Sequence, residues 1–294
     1  MSNFWGGGSE SDPIAGAELD AHEAATTSVH GIANTSALAL TANVQPLDSD
    51  LTAIAALSTT SYGRSLLALA DAAAGRAALG VGADYLDVAM EDTPAGLWAH
   101  TETSGTTSTD LSGNGNHGTY TGGYTLGQTG GVNGAATAVE LNGTSGYVTV
   151  PDAASLDFTT ACTLLMWAKP TTLGGEKGGV SKGGTSGYLL EFYNSGILTR
   201  ANGGGAGNVG YAAAGRWNLI AMEWEGSYVW SYVNGALVAQ TSASGPITAG
   251  SAALLIGQYG GGNWLPGLIG PVAVYNHVIG PLRHARHWMA GVGT

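Results

Sequence analysis

The stretch RWNLIAMEWEGSYVWSYVNGALVAQ, residues 216–240, decides the fold that the sequence predicts. It holds three runs rich in β-branched, aromatic and other apolar residues, Asn218–Trp224, Tyr228–Val233 and Ala236–Gln240. Asn234-Gly235 separates the last two runs, and this dipeptide favours a type I′ turn, in which both central residues need positive φ. The stretch therefore predicts consecutive antiparallel strands joined by tight turns.

Similar short runs, separated by glycine- and asparagine-rich turns, continue through residues 96–294. This pattern predicts a β-sandwich or a barrel. The other predicted strands are Ala138–Leu141, Gly146–Val150, Thr163–Lys169, Tyr188–Tyr193, Ala253–Ile256 and Leu268–Tyr275. One helix is predicted in this half, over Pro281–Met289, with Trp288 as its anchor in the core.

The composition narrows the class of protein. The 294 residues include 49 glycines without a three-residue period, which excludes a collagen triple helix. Acidic residues outnumber basic ones by 21 to 9, for a net charge of −12, so the chain is a poor candidate for binding nucleic acid or an anionic membrane. No run of about 18 apolar residues is present, so no transmembrane helix is expected. Residues 1–17 are not expected to act as a secretion signal, because they lack a basic region and an apolar run. Sugars and neutral protein surfaces remain as partners.

The first 95 residues divide into four segments. Residues 1–17 are rich in glycine and serine and predict a flexible tip, on which Phe4-Trp5 forms an exposed apolar pair that would attach to another protein. Residues 18–46 predict an extended segment, and residues 83–95 predict a linker. Residues 47–82 carry leucine and alanine at helical spacing and predict two short amphipathic helices. Such short helices are marginal alone in water, so their apolar stripes predict homo-oligomerisation.

Two motifs in this half resemble known fibre proteins. LDSDLTAIAALSTTSYGRSLLALADAAAGRAALG, Leu47–Gly80, resembles a module of bacteriophage tail fibres and related virion fibres, and HEAATTSVHGIANTSAL, His22–Leu38, is similar to segments of the same proteins. The resemblance implies a homotrimer on the virion, at the tail or at the capsid surface, with residues 47–82 as a helical trimerisation stalk. It also implies that the part with Phe4 and Trp5 attaches to other virion proteins, while the C-terminal part faces the host.

The second half resembles the laminin-G-like, concanavalin A-like jelly roll in several blocks that follow the order of that family. These blocks are Asp110–Thr119 (DLSGNGNHGT), Val139–Pro170, Arg216–Gln240 and Leu254–Trp288. The resemblance implies a mainly β chain, in which a C-terminal jelly-roll β-sandwich over residues 96–294 follows a fibrous N-terminal stalk with short α-helices. One fold hosts many kinds of site, so the fold alone does not determine the function.

The sequence contains no complete catalytic motif. A glycosidase needs two carboxylates that flank the scissile bond, and Glu223 and Glu225, at i and i+2, share one face of a predicted strand. The third acid of the jelly-roll glucanase motif Glu-x-Asp-x-x-Glu is missing, so both are expected to be solvated acids at a strand end. Cys162 is expected to be a small buried residue. The histidines near the last helix, His277, His284 and His287, are expected to cap or solvate it. No catalytic residue is assigned, and no enzyme is predicted.

Calcium is the one cofactor that the sequence suggests. In DLSGNGNHGT, Asp110 and the amide of Asn114, together with carbonyl groups of the turn, are oxygen ligands of the kind that calcium prefers. The alternative is an Asx turn, in which Asp110 accepts hydrogen bonds from the amides that follow it. Calcium-binding members of the jelly-roll family commonly carry an acid in the penultimate strand, where this chain has Leu268–Val272 without one. The missing acid favours the Asx turn.

Aromatic residues suggest a site for a sugar, because aromatic faces stack on the C–H surfaces of sugar rings. If Val229 and Val233 face the core, alternation puts the other side of their strand on the outer surface of the sheet. The residues predicted to bind a glycan are Tyr228, Trp230 and Tyr232 on that strand, and Tyr259, Asn263 and Trp264 in the glycine-rich loop GQYGGGNWLPG. The alternatives for these rings are a subunit interface and plain core packing.

Together these observations predict a structural virion fibre of a bacteriophage, a tail fibre, whose jelly roll recognises a glycan on the host surface. An alternative is a capsid-decorating fibre or head protein that coats or stabilises the shell. A glycan depolymerase is the least favoured class, because the carboxylate motif is incomplete.

Overall fold

The computed structural model of the chain describes residues 83–243, 245–248 and 250–293. The predictions for residues 1–82, which are the tip with Phe4-Trp5, the extended segment and the helical trimerisation stalk, lie outside the described residues. No helix within the described ranges is long and apolar enough to cross a membrane.

Two antiparallel sheets of eight strands each make up most of the described structure. The first sheet consists of β1 (Gly96–Trp98), β4 (Tyr124–Val132), β5 (Ala135–Asn142), β7 (Ala161–Pro170), β12 (Asn218–Glu225), β13 (Tyr228–Val233), β14 (Ala236–Ser242) and β18 (Pro266–Tyr275). The second sheet consists of β2 (Thr107–Ser108), β3 (Gly118–Thr121), β6 (Tyr147–Val150), β8 (Glu176–Lys182), β9 (Tyr188–Tyr193), β10 (Gly196–Ala201), β11 (Gly204–Val209) and β15 (Leu254–Ile256). A two-stranded ribbon, β16 (Gln258–Tyr259) and β17 (Asn263–Trp264), is separate from both.

The strand orders are non-sequential in both sheets. The first sheet runs β14-β13-β12-β7-β18-β5-β4, with β1 also paired to β18, and the second runs β11-β10-β9-β8-β15-β6-β3-β2. The helices are α1 (Tyr85–Glu91), α2 (Pro281–Val292) and two short 3₁₀ turns, Ala154–Leu156 and Gly184–Ser186. Because neighbouring strands come from distant parts of the chain, the chain passes repeatedly between the sheets.

The main hydrophobic core contains residues of both sheets. In β12, Ile220, Met222 and Trp224 belong to this core, while Leu219 points to the opposite face of the first sheet and packs there. The strand therefore buries both faces, which explains why NLIAMEW contains few polar residues. Cys162 lies in the same core, as predicted.

A second hydrophobic cluster covers the opposite face of the first sheet. It joins Tyr85 and Ala89 of α1 to Trp167 and Tyr275 of the sheet, and all four side chains are buried. The ring of Tyr85 meets Trp167 edge-on, with 5.8 Å between the ring centroids. The central strands of the first sheet are therefore covered on both faces.

Residues 83–95 are not a linker, so that prediction is wrong. Asp84 caps α1 by accepting a hydrogen bond from the N–H of Asp87 at 2.9 Å. The N–H of Tyr85 donates to the carbonyl oxygen of Asn133 at 3.0 Å, which ties the helix to the sandwich. Tyr85, Val88 and Ala89 lie at i, i+3 and i+4, one apolar stripe too short to stand out in the sequence. This helix is therefore part of the β-sandwich domain.

The predicted C-terminal helix is confirmed and ends three residues later than expected, at Val292. Pro281 occupies the first turn of the helix, where its missing N–H removes no hydrogen bond of the helix. Gly293 ends the helix with a φ of 73°. Trp288 stacks on Trp167 with 5.2 Å between the ring centroids, as expected of a core anchor.

The expectation that the histidines of this helix are solvated is wrong for His284 and His287, since both are fully buried. His284 stacks on Tyr232 with 3.8 Å between the ring centroids. His287 Nε2 lies 2.8 Å from Asp92 Oδ2. These two histidines therefore face inward, His284 toward Tyr232 and Glu223 of the first sheet and His287 toward Asp92 at the end of α1.

All nine predicted strands are present, and the ends of most shift by one to three residues. Most of the strands that the sequence pattern missed are short or rich in glycine. Examples are β4 (YTLGQTGGV), β8 (EKGGVSK) and β11 (GGAGNV). Glycine removes the side chains on which the two-residue alternation depends, so these strands resemble loops in the sequence.

Candidate functional site

The outer face of the second sheet carries the ribbon β16–β17. In β9, Tyr188 and Leu190 belong to the main core, so Glu191 points to the outer face. Gly178 makes close approach possible, because a Cβ there would lie 2.4 Å from the Cα of Gln258. The ribbon therefore lies directly on β8. We call this region the ribbon face.

Three of the six predicted glycan-binding residues belong to the ribbon. Tyr259 pairs with Asn263 across the two strands, which puts their side chains on one face, and Trp264 pairs with Gln258 on the other. Tyr259, Asn263 and Trp264 are all partly exposed. Asn263 Nδ2 donates to Glu176 Oε2 at 2.6 Å, so the ribbon is fixed to the start of β8.

Two cavities lie on the ribbon face. The larger, of about 770 Å³, is lined by Tyr259, Ser181 and Leu255 together with small residues of neighbouring loops. The smaller, of about 350 Å³, is lined by Glu176, Tyr193, Leu198 and Arg200 and by glycines of β11. Glu176 links them, because it lines the smaller cavity and binds Asn263 of the ribbon. Carboxylate, guanidinium, amide and aromatic groups therefore occur together on this face.

Glu191 is the residue of this face that the sequence analysis missed. Its side chain is fully buried, and neither carboxylate oxygen has a hydrogen-bond partner within the described ranges. Its pKa is raised to about 8, mainly by burial and also by the nearby Glu176 carboxylate, while Arg200 opposes the rise. The sequence signal was a single acid inside the apolar run YLLEFY, where alternation alone suggests an exposed position.

The predicted aromatic row on β13 is only partly correct. Val229 and Val233 do face the main core, but Tyr232 is only 2% exposed, because α2 covers it. Tyr228 is exposed and Trp230 is half-buried, with 5.8 Å between their ring centroids. These rings belong to the first sheet, whereas the ribbon lies on the second, so the six residues do not form one site.

Glu223 is a buried structural acid, so the expectation that it is solvated is wrong. Its Oε1 accepts hydrogen bonds from the N–H groups of Ile279 and Gly280 at 2.8 and 2.7 Å, and Oε2 accepts one from the hydroxyl of Tyr232 at 3.0 Å. Burial alone would raise the pKa of Glu223, but contact with His284 and these hydrogen bonds hold it below its usual value. Glu225 is exposed as expected. With Glu223 fully engaged, the two do not form a catalytic pair.

The carboxylate of Asp110 is also fully engaged. It accepts hydrogen bonds from the backbone N–H groups of Leu97, Ser112 and Asn116, at 2.8 to 3.0 Å, and from the Ser112 hydroxyl at 2.8 Å. Asn114 Nδ2 donates to the carbonyl oxygen of Ala95 at 3.1 Å. These contacts are those of an Asx turn and do not fit a calcium ion, which needs oxygen lone pairs that are free of donors. No group of three or more metal-binding side chains occurs in the described part of the chain.

We therefore expect the melting temperature to be unaffected by calcium. Thermal unfolding of the full chain in millimolar calcium and in chelator should give midpoints within about 1 °C, because an ion that binds neither state shifts nothing. A midpoint that rises with calcium and falls in Asp110→Asn would restore the metal interpretation.

Comparison with known proteins agrees with this architecture. Residues 142–282 match the laminin-G family model described as the concanavalin A-like lectin/glucanases superfamily. The two-sheet sandwich agrees with the jelly-roll fold that this family model describes. No curated protein is significantly similar to the chain in sequence.

Solved structures share the fold at low identity. Domain 4 of an extracellular arabinanase from Geobacillus stearothermophilus, in complex with arabinotriose, is 18% identical with a TM-score of 0.54, over 66% of this chain and 98% of that chain. The binding domain of Paraclostridial mosquitocidal protein 1 is 15% identical with a TM-score of 0.55, over 68% of this chain and 52% of that chain. The receptor binding domain of botulinum neurotoxin C/D mosaic serotype is 12% identical with a TM-score of 0.52, over 67% and 51%. These similarities show the fold of the domain.

Proposed function

We propose that the jelly-roll domain binds a carbohydrate on the ribbon face. The observation that carries this proposal is the ribbon itself, which holds partly exposed Tyr259 and Trp264 and the Asn263–Glu176 pair between two cavities. Aromatic rings with a few polar groups at a concave site are the usual composition of a ligand pocket. The arabinanase domain of the same fold was solved with arabinotriose, and the mosquitocidal protein and neurotoxin domains are binding domains.

The proposed activity is binding without hydrolysis. A general acid must reach the glycosidic oxygen, whereas Glu191 is fully buried and Glu176 already accepts a hydrogen bond from Asn263. A polysaccharide incubated with the protein should therefore release no new reducing ends. Appearance of such ends, and their loss in Glu191→Gln, would support a depolymerase instead.

We further propose that the chain is a homotrimeric virion fibre of a bacteriophage, with the jelly roll presented to the host. The support is the resemblance of Leu47–Gly80 to fibre modules. Three linked domains would raise avidity without a single strong site. A capsid-decorating fibre is the alternative, and labelling of intact virions with an antibody to the domain separates the two. A native mass of one chain would contradict the trimer.

Removing the ribbon aromatics should weaken glycan binding. Trp264→Ala and Tyr259→Ala are each expected to lower the affinity of the full chain for arabinotriose, or for whichever host-envelope polysaccharide binds best in a screen, by about tenfold or more. Isothermal titration calorimetry measures the change. Tyr228→Ala is the matched control, because it removes an exposed ring from the first sheet. If only Tyr228→Ala lost binding, the result would assign the glycan site to β13 and contradict the proposed site on the ribbon face.

A further inference from the structure

A second cleft lies beside the loop of residues 210–217, which joins β11 to β12. A cavity of about 490 Å³ is lined by Lys169, Arg216, Trp217 and Trp288, among others. A neighbouring cavity of about 440 Å³ is lined by Leu173, Asn194 and Ser195. Tyr211, which is 71% exposed, lines both cavities. We call this region the loop cleft, and its residues are distinct from those of the ribbon face.

The loop that forms the cleft is held in place by hydrogen bonds. Asn218 is buried, and its Nδ2 donates to the carbonyl oxygens of Ala213 and Arg216, at 3.0 and 2.7 Å, while its Oδ1 accepts from the N–H of Ala213 at 2.9 Å. The N–H of Gly215 donates to the carbonyl oxygen of Pro170 at 2.7 Å. A ligand would therefore meet a preformed surface, which reduces the entropy lost on binding.

The two cations of the cleft have no acidic partner. Lys182, Arg283 and Arg286 all form ion pairs with carboxylates. Lys169 and Arg216 form none within the described part of the chain, although acids outnumber bases by 21 to 9. Two unpaired cations lining one cavity of an acidic protein create a local site for an anion.

The indoles of the cleft are supported from beneath. The ring of Trp217 packs over Gly131, where a Cβ would lie 1.9 Å from its Nε1, and close to Gly270. Trp288 stacks on Trp167 at an interplanar angle of 14°. Each indole is half-buried and lines the cavity. The cleft thus offers fixed aromatic surface next to unpaired positive charge.

We infer that the loop cleft binds the carboxylate-bearing residue of an acidic saccharide, such as a uronic acid. The planar guanidinium of Arg216 matches a carboxylate in a bidentate arrangement, and Lys169 adds a second positive charge. The sugar ring stacks on the indoles. A polyphosphate chain is disfavoured, because the net charge of −12 repels a long polyanion beyond the cleft.

The test uses the full chain and a tetrasaccharide of alternating glucuronate and N-acetylglucosamine, with chitotetraose as its neutral counterpart. Binding is followed by calorimetry and tryptophan fluorescence at about 0.15 M salt. The acidic tetrasaccharide should bind at least about tenfold more tightly than chitotetraose. Arg216→Gln and Lys169→Gln should each remove most of this preference, and Arg216→Lys should retain part of it.

Lys177→Gln is the matched control, because Lys177 on β8 is a further cation that forms no ion pair with the described residues, and the substitution changes the net charge equally. It should change the affinity less than twofold. Equal binding of the two tetrasaccharides, equal losses in Arg216→Gln and Lys177→Gln, or binding of adenosine monophosphate as tight as that of the acidic tetrasaccharide would each overturn the inference. Retention of binding in Tyr259→Ala distinguishes this cleft from the ribbon face.

Discussion

Glu223→Ala is expected to lower the free energy of unfolding by about 3 to 5 kcal/mol, because it removes one member of a buried charged network and leaves the others without a partner. Without this carboxylate, the N–H groups of Ile279 and Gly280 and the hydroxyl of Tyr232 lose their acceptor. His284 Nε2, 3.2 Å from Glu223 Oε1, loses that polar neighbour. The lost hydrogen bonds lie just before the first residue of α2, so this helix should be the first element to separate from the sheet.

The matched control is Glu225→Ala, two residues along the same face of β12, where the side chain is exposed. It should change the free energy of unfolding by less than about 0.5 kcal/mol. Denaturant unfolding followed by circular dichroism measures both variants. For a domain of this size the expected difference in melting temperature is roughly 10 °C. Equal effects of the two substitutions would contradict the buried network.

The difference between wild type and Glu223→Ala should also depend on pH. The folded-state pKa of Glu223 lies below its usual value of 4.5. The stabilisation that ionised Glu223 gives to the folded protein is therefore fully present above pH 4.5. It is lost as the pH falls through the folded-state pKa. The stability curves of wild type and variant should converge on acidification.

The sequence predicted the fold well because alternation and turn chemistry are local signals. Residues 216–240 contain three strands and an Asn-Gly turn, and the structure places all of them as expected, with a φ of 52° at Asn234 and 79° at Gly235. The glycine-rich strands were not predicted, because they carry few side chains that could show the alternation of apolar and polar residues. Helix α1 was not predicted either, because its apolar residues from Tyr85 to Ala89 span only about one helical turn. Such a short pattern cannot be distinguished from that of a loop.

The site was harder to predict, because alternation indicates which face a side chain occupies and not what covers that face. Tyr232 and Glu223 do lie on the outer face of β12 and β13, but α2, more than 45 residues later in the chain, seals them. Tyr259, Asn263 and Trp264 are partly exposed, as expected for a glycine-rich loop between strands, which is commonly at the surface. The burial of Glu191 could not be predicted either, because the apolar run YLLEFY does not show what covers the outer face of the second sheet.

Glu191→Gln is expected to stabilise the protein by about 2 to 4 kcal/mol above pH 8 and to have little effect near pH 4. Burial raises the folded-state pKa of this carboxyl to about 8 from its usual 4.5. Between these values the folded chain holds a proton that the unfolded chain releases, so wild-type stability falls as the pH rises. One pKa unit corresponds to about 1.4 kcal/mol, which limits the gain to about 5 kcal/mol. Glutamine keeps the shape of the neutral acid and has no proton to lose.

The measurement is the difference in the free energy of unfolding between wild type and Glu191→Gln at intervals from pH 4 to pH 9. Groups that titrate equally in both proteins cancel in this difference. A rise of the difference between pH 4 and pH 9 therefore reports the titration of Glu191. Glu140→Gln, at an exposed position of β5, is the control and should give a flat difference. A flat difference for Glu191→Gln as well would mean that its carboxylate is ionised and solvated in the folded protein.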